Sequence, residues 1–469
     1  MERDRFGLVG GLVADRPILT LLVLAFGLAA LATIGASGAA PGAAWAVGEL
    51  EIAGLALTAL PLFLAGAAPR TIGLRIIIGL AVAAGAAALY VYGPLVPGGG
   101  VAAPAAGAFI LLTWLLLAAG PLFGAMARFA FIAAGAGLVG MAGGFGLMLQ
   151  QGLGVGDSGP AVISAFTIAA IVGAGAVADF AALYAGGADR RRAAGLASGR
   201  AVAPSVYGAF AAALAFGGAA GLRSENAEWL MLSALAGLAV ILCALPALAA
   251  SAGALCLRQA SEMMAVEENR RRQAFRRLWR PMRAIFPPNA SLALIAIAAI
   301  AVVAAAFNMP GPMPAFHLVF AISGGAAAGL VFFSLRTGLF VFYLLIVSSV
   351  LGGWLWGTIK APALSLLDQA AALTLAAALF GSLAATWRDA RSPRLNPRET
   401  TEAAMTDALG EHVFGAILAL AGFYAGKAAG VWPGGLAAGG YLALMAAIGF
   451  LLAPALMTAL SHMAPRELA

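Results

Sequence analysis

The sequence predicts an all-α polytopic membrane protein of about 14 transmembrane helices, arranged as about 8 + 6 in two pseudo-repeated halves, with both termini in the cytoplasm. Three observations carry this. The 469 residues are 62% hydrophobic and 10% charged, with mean hydropathy +0.97, where a soluble domain carries about 25% charge. Apolar runs long enough to cross a bilayer recur along the chain, and only helices and closed barrels satisfy their backbone in lipid. The basic residues, all Arg except Lys360 and Lys427, fall in alternate connections.

The spans fall near 18–36, 50–68, 73–94, 104–125, 128–149, 160–185, 201–221, 229–252, 291–308, 316–334, 338–357, 365–387, 412–430 and 436–460. The first follows Arg16-Pro17 and has no small-residue cleavage site, so it reads as a retained helix. The next two are separated by Ala68-Pro69-Arg70-Thr71 alone. The longest connection, 253–290, sets Glu262, Glu267 and Glu268 ahead of Arg270, Arg271 and Arg272. It reads as a cytoplasmic helix on anionic headgroups with Trp279 buried, or as a partner's docking site. The domain reading is therefore 1–252 (six core helices plus an inserted pair near 46–100), the linker 253–290, and 291–469 (six helices). With the N-terminus inside, that side carries Arg3, Arg5, Arg16, Arg70, Arg75, Arg128, Arg190, Arg191, Arg192, Arg200, Arg336, Arg388, Arg391, Arg394, Arg398 and Arg466, and the middle-loop cluster from Arg270 to Arg283. The other side carries Arg223, Lys360 and Lys427, the asymmetry of an N-in, C-in protein. The 61 glycines suit close helix packing.

Several classes are excluded. Cys243 and Cys256 form no metal motif, and His317, His412 and His462 are isolated, so neither haem nor structural zinc is expected. There is no phosphate-binding loop, no Ser-His-Asp spacing and no HExxH, so the chain does not read as an enzyme and no cofactor is expected. The net charge of +7 reads as topology and lipid contact, not nucleic-acid binding. The expected partners are membrane lipids, with a membrane-protein partner or a second copy left open.

Asp179 stands out. It lies in the otherwise uncharged run 160–188, ten residues before Asp189. At about 1.5 Å per residue this puts it about 15 Å from the next charge, half of a roughly 30 Å apolar core. Either it is a proton or ion site, or a neutral acid bonded to a neighbouring helix.

The halves repeat weakly. AVADFAALYAGGADRRR (176–192) aligns with LFGSLAATWRDARSPR (379–394), setting Asp179 opposite Ser382 and Tyr184 opposite Trp387. LPALAAS (245–251) aligns with APALMTALS (453–461), and PLFGAMARF (121–129) with VFFSLRTG (331–338). Arg128 to Asp179 is 51 positions and Arg336 to Ser382 is 46. Pro17 to Arg128 is 111 but Pro288 to Arg336 is 48, and the difference, 63, accounts for the inserted pair.

With Arg16-Pro17 before the first span, basic turns at Arg128 and Arg336, the Gly-rich span IVGAGAVADFAALY (171–184) and a Pro-Ala-Leu signature ending each half, the chain resembles the resistance–nodulation–division (RND) superfamily, in particular its mycobacterial-type lipid exporters. The resemblance implies two six-helix halves and proton movement at Asp–aromatic pairs. It also implies a large extracytoplasmic domain after the first helix of each half, but 37–49 and 308–315 are short here. The second carboxylate of the lipid-exporting branch is Ser382 in this chain, and the residue after Asp179 is Phe180, with Tyr184 further on. The expectation is an inner-membrane, RND-like transporter in a bacterium, proton-coupled, for a hydrophobic or lipid-like substrate, with Asp179, Tyr184, Ser382 and Thr386 as relay candidates. The alternative is a degenerate transporter fold serving as a membrane scaffold or assembly subunit.

Lesser candidates complete the reading. Asp368, with Gln369 beside it, reads mainly as a helix-start residue, with ion entry as the minor alternative. Glu49 and Glu51 precede an apolar run, and Arg223, Glu225 and Glu228 form a charged loop; all five read as exposed. Ser382 and Thr386 share a helical face and either bond Asp179 or back-bond to their own helix. NPRETTEAA (396–404) reads as a Pro-led helix start.

Overall fold

A computed structural model of the chain describes residues 155–185, 187–223, 288–309, 313–332, 334–390, 396–428 and 432–462, with single positions at 15, 144, 273, 276 and 277. These residues form α1 (Val155–Ala185), α2 (Arg190–Arg223), α3 (Pro288–Phe307), α4 (Met313–Phe332), α5 (Leu335–Thr358), α6 (Leu366–Ala390), α7 (Pro397–Ala428) and α8 (Gly435–His462). Among the described residues there is no strand. Among the described residues, five stretches are long and apolar enough to cross a membrane: Gly159–Val177, Asn289–Phe307, Leu335–Thr358, Leu366–Ala390 and Gly435–His462. That composition and those lengths mark a multi-pass helical membrane protein. The spans read near 18–36, 50–68, 73–94, 104–125, 128–149 and 229–252, the inserted pair, and most of the linker lie outside the described residues. Within the linker, Gln273, Arg276 and Arg277 are helical and exposed.

Local chemistry sets the helix ends. Asp189 caps α2, its Oδ1 accepting the Arg192 N–H at 2.9 Å. Gly187, at φ 90°, takes the left-handed turn that closes α1, donating to the Tyr184 carbonyl at 3.0 Å. Ser365 and Asp368 form a reciprocal capping box at the start of α6: Asp368 N–H to Ser365 Oγ is 3.1 Å and Ser365 N–H to Asp368 Oδ2 is 2.9 Å. Asn396 and Glu399 do the same for α7, at 2.9 and 3.2 Å, ahead of Pro397. Both starts agree with the sequence reading.

Two helices begin earlier than their apolar runs. The span read at 201–221 belongs to a helix that starts at Arg190, and the one read at 412–430 to a helix that starts at Pro397. Hydropathy marks only the part of a helix suited to lipid. The polar first segments, RRRAAGLASGR and PRETTEAAMTDALGE, are capped and hold no proline beyond the first position, so the helix runs through them despite their glycines.

α6 is the central helix. It packs against α1, α2, α4, α5, α7 and α8, and Phe380, Leu383 and Trp387 are buried on it. α3 is peripheral, packing on α5 and α8. Only 17% of its apolar stretch is buried, so Ile297, Ile300 and Val303 face outward, as lipid-facing side chains do. Glycine permits the tightest crossings: a Cβ at Gly449 of α8 would run into the Phe380 ring.

The ends of the helices sort by charge. α1, α3, α5 and α7 are joined antiparallel to α2, α4, α6 and α8. Phe340, near the start of α5, packs on Trp387, near the end of α6, with ring centroids 5.3 Å apart. Thr401, early in α7, meets Thr458, late in α8, at 3.4 Å. Arg190, Arg191, Arg192, Arg200, Arg336, Arg388 and Arg398 therefore gather towards one end. Lys360 and Lys427 lie at the other, where Trp432 reaches Asp368.

Candidate functional site

α6 supplies a ruler for depth. Between Asp368 and Arg388 its 19 residues, 369–387, carry no charge, which at about 1.5 Å each is about 28 Å, the thickness of a bilayer's apolar core. Asp368 thus marks one edge of this uncharged stretch, and Arg388 and Asp389 the other.

Asp179 sits at the Asp389 edge. Arg200 of α2 reaches its Oδ1 through Nη1 at 3.1 Å, and reaches Asp389 Oδ2 through Nε at 3.5 Å. Arg388 lies 3.0 Å from the same Asp389 carboxylate. Three helices share a layer further in: a Cβ at Gly415 would contact Leu379 and Ile171. From that layer Asp179 is eight residues along α1, Asp407 eight along α7 and Asp389 ten along α6. These offsets put all three acids about 12–15 Å from the layer, at one level.

Asp179 therefore lies level with two other acids of the bundle, Asp389 and Asp407. Distance along the chain does not show which charge lies nearest in space: that charge is Arg200, folded back across the α1–α2 hairpin. Asp179 lies two residues past the apolar stretch Gly159–Val177. Arg200 was not singled out, although hairpin arithmetic could have found it. A turn joining residues 185 and 190 sets opposite each other positions whose numbers sum to about 375. The position facing Asp179 is then 196, one turn from Arg200.

The other relay candidates are spread around this point. Tyr184 stacks on Phe180 at 5.9 Å, on the same helix. Thr386 donates to the Ser382 carbonyl at 3.1 Å, so its hydroxyl serves its own helix. Ser382 and Asp389, seven residues and two turns apart, share a face of α6. Asp389 is reached by the same arginine as Asp179. Arg200, Asp179 and Asp389 are each about a third exposed, at 41%, 32% and 33% of their side chains.

At the opposite edge Asp368 is 6% exposed. Besides its capping bonds it accepts the Trp432 indole N–H at 2.7 Å. Trp432 also packs at a tilt on Phe423 of α7, ring centroids 4.7 Å apart, so the α7–α8 connection is tied to the start of α6. Next to it, Gln369 is buried, and His317 stacks on Tyr441 at 6.4 Å. The Tyr441 hydroxyl donates to the Ser349 carbonyl at 2.8 Å. His317 and His412 are both buried, and sequence reading gave neither a role because neither has a ligand-like neighbour in the chain. Among the described residues no three His, Cys, Asp or Glu side chains converge as a metal site would require.

No protein-family model matches the chain, and neither curated proteins nor solved structures give a match.

Proposed function

We propose that the chain is a compact, RND-like transporter of a bacterial inner membrane, coupling proton movement at Asp179 to transfer of a hydrophobic or lipid-like substrate. One observation carries the reading: a single arginine, Arg200, is shared by an acid of α1 and an acid of α6. Protonation of Asp179 would release Arg200 towards Asp389, a local charge change able to bias two packings of the helices. The described contacts are reciprocal in the way two repeated halves would make them: α1 packs on α2 and α7, and α6 packs on α7 and α2. The gathering of Arg at the Asp179 end favours that end as cytoplasmic, with both termini there. A substrate entering from the bilayer needs no extracytoplasmic domain.

The test is reconstitution of the full chain in liposomes carrying a fluorescent short-chain lipid analogue, with an imposed pH gradient. Gradient-driven redistribution of the analogue is expected, and Asp179→Asn is expected to slow it at least tenfold. Equal rates in both proteins would remove Asp179 from the mechanism.

One observation favours the scaffold reading. Asp179 is already satisfied by Arg200, as a purely structural acid would be. Purification in mild detergent separates the two: persistent co-purification with stoichiometric partners supports the scaffold, and a lone chain active in the liposome assay opposes it.

A further inference from the structure

Resting on the proton-coupling reading, we infer that Asp407 of α7 is a positioning residue of the proton site, its charge setting the pH at which Asp179 takes up a proton. Three close crossings place it. A Cβ at Gly426 of α7 would meet Ile163 of α1, one at Gly422 would meet Thr167, and one at Gly415 would meet Ile171. Glycine lets the two backbones approach closely along this seam. The paired numbers sum to 586–589, so the seam continued to Asp179 arrives at 407–410 on α7. Asp407 therefore lies across from Asp179, about 12 Å beyond Gly415. It is half-buried, and α7 packs on α6 as well as on α1, which brings Asp389 to the same level.

The charges around Asp179 come from each helix packed on α1. From α2, Arg200 reaches its carboxylate at 3.1 Å. Arg190, Arg191 and Arg192 stand about 12–15 Å further out, with Arg191 against Asp15 at 3.6 Å. From α6, Asp389 shares Arg200 and takes Arg388 at 3.0 Å. From α7, Asp407 is level with Asp179, Glu402 stands about 7.5 Å further out and Glu411 about 6 Å further in. Asp389 and Asp407 are both near enough for their charges to act on Asp179 against that of Arg200. Arg200 joins α1 to α6 by contact, and Asp407 adds α7 by its charge across the glycine seam. Neutralising Asp179 removes its repulsion from Asp407 while it releases Arg200. One proton thus changes the forces between α1 and three neighbours, α2, α6 and α7.

The test is carbon NMR of the full chain in lipid nanodiscs, labelled at its aspartate carboxyls and titrated across pH 4–9, with the Asp179 signal assigned by its loss in Asp179→Asn. Removing a negative charge opposite Asp179 makes its proton easier to lose. In Asp407→Asn the Asp179 midpoint is therefore expected to fall by about one pH unit, the effect of one charge about 10 Å away at an effective dielectric of 20. Asp407→Ser, also neutral, should give the same fall and stands in if the amide variant does not fold. Asp407→Glu, which keeps the charge, should restore the parent midpoint. A midpoint unmoved in the neutral variants, or moved as far in Asp407→Glu, overturns the inference. If Asp179 titrates in the parent chain but its midpoint is the same in Asp407→Asn, the proton-coupling reading survives that failure; an Asp179 signal that does not titrate removes both.

Discussion

Replacing Trp432 with Phe removes one donor from a buried carboxylate and keeps most of the ring. The indole N–H reaches Asp368 Oδ1 at 2.7 Å, and Trp432 and Asp368 are 2% and 6% exposed. Water cannot readily take the donor's place. A hydrogen bond to a charged group contributes about 1.5–3 kcal/mol, and the smaller ring leaves a void worth about 1 kcal/mol more. The expected loss is therefore about 2.5–4 kcal/mol, read as the shift in a reversible denaturant titration of the purified chain in lipid bicelles. In an Asp368→Asn background the amide oxygen still accepts the N–H, but without charge assistance the bond is about half as strong. The same Trp432→Phe change should then cost about 1 kcal/mol less than in the parent. Equal costs in the two backgrounds would mean that the carboxylate is not what Trp432 stabilises, and a loss below about 1 kcal/mol would refute the bond's burial.

Arg200→Gln should cost under about 1 kcal/mol of stability, since its ion pairs are a third or more exposed, yet abolish gradient-driven transport in the liposome assay. Thr386→Ala should leave both stability and transport within error, a change of about 0.5 kcal/mol or less, because its hydroxyl bonds its own helix. Gly449→Val should destabilise the bundle by about 1–3 kcal/mol in the same titration, by driving a side chain into Phe380. Asn396→Ala should cost about 1 kcal/mol through loss of the α7 cap, and the fraying should appear as faster amide exchange confined to the first turn of α7.

Much of the fold was legible because bilayer physics writes it into composition. The uncharged stretch of α6, the Asp368 start and the Asn396-Pro397 start of α7 each follow from a local rule. The polar first turns of α2 and α7 were missed because hydropathy ends where lipid ends, whereas a helix ends only at a cap or breaker. The site was less legible. Asp179 is legible by its charge, but its ion pair is not, because that depends on which residue lies across the bundle. Arg200 is legible from the α1–α2 hairpin, whose turn brings it within one helical turn of the residue facing Asp179. The Trp432–Asp368 bond, 64 residues apart, and the layer joining Ile171, Leu379 and Gly415 are tertiary facts that no local pattern encodes.

The central claim is that Asp179 takes up and releases a proton while sharing Arg200 with Asp389. Infrared difference spectroscopy of the chain in lipid, stepped from pH 8 to pH 5, reads carboxyl protonation directly. The account predicts a protonated-carboxyl band that is absent in Asp179→Asn and appears at a different pH in Arg200→Gln. A band of unchanged size in Asp179→Asn would contradict it.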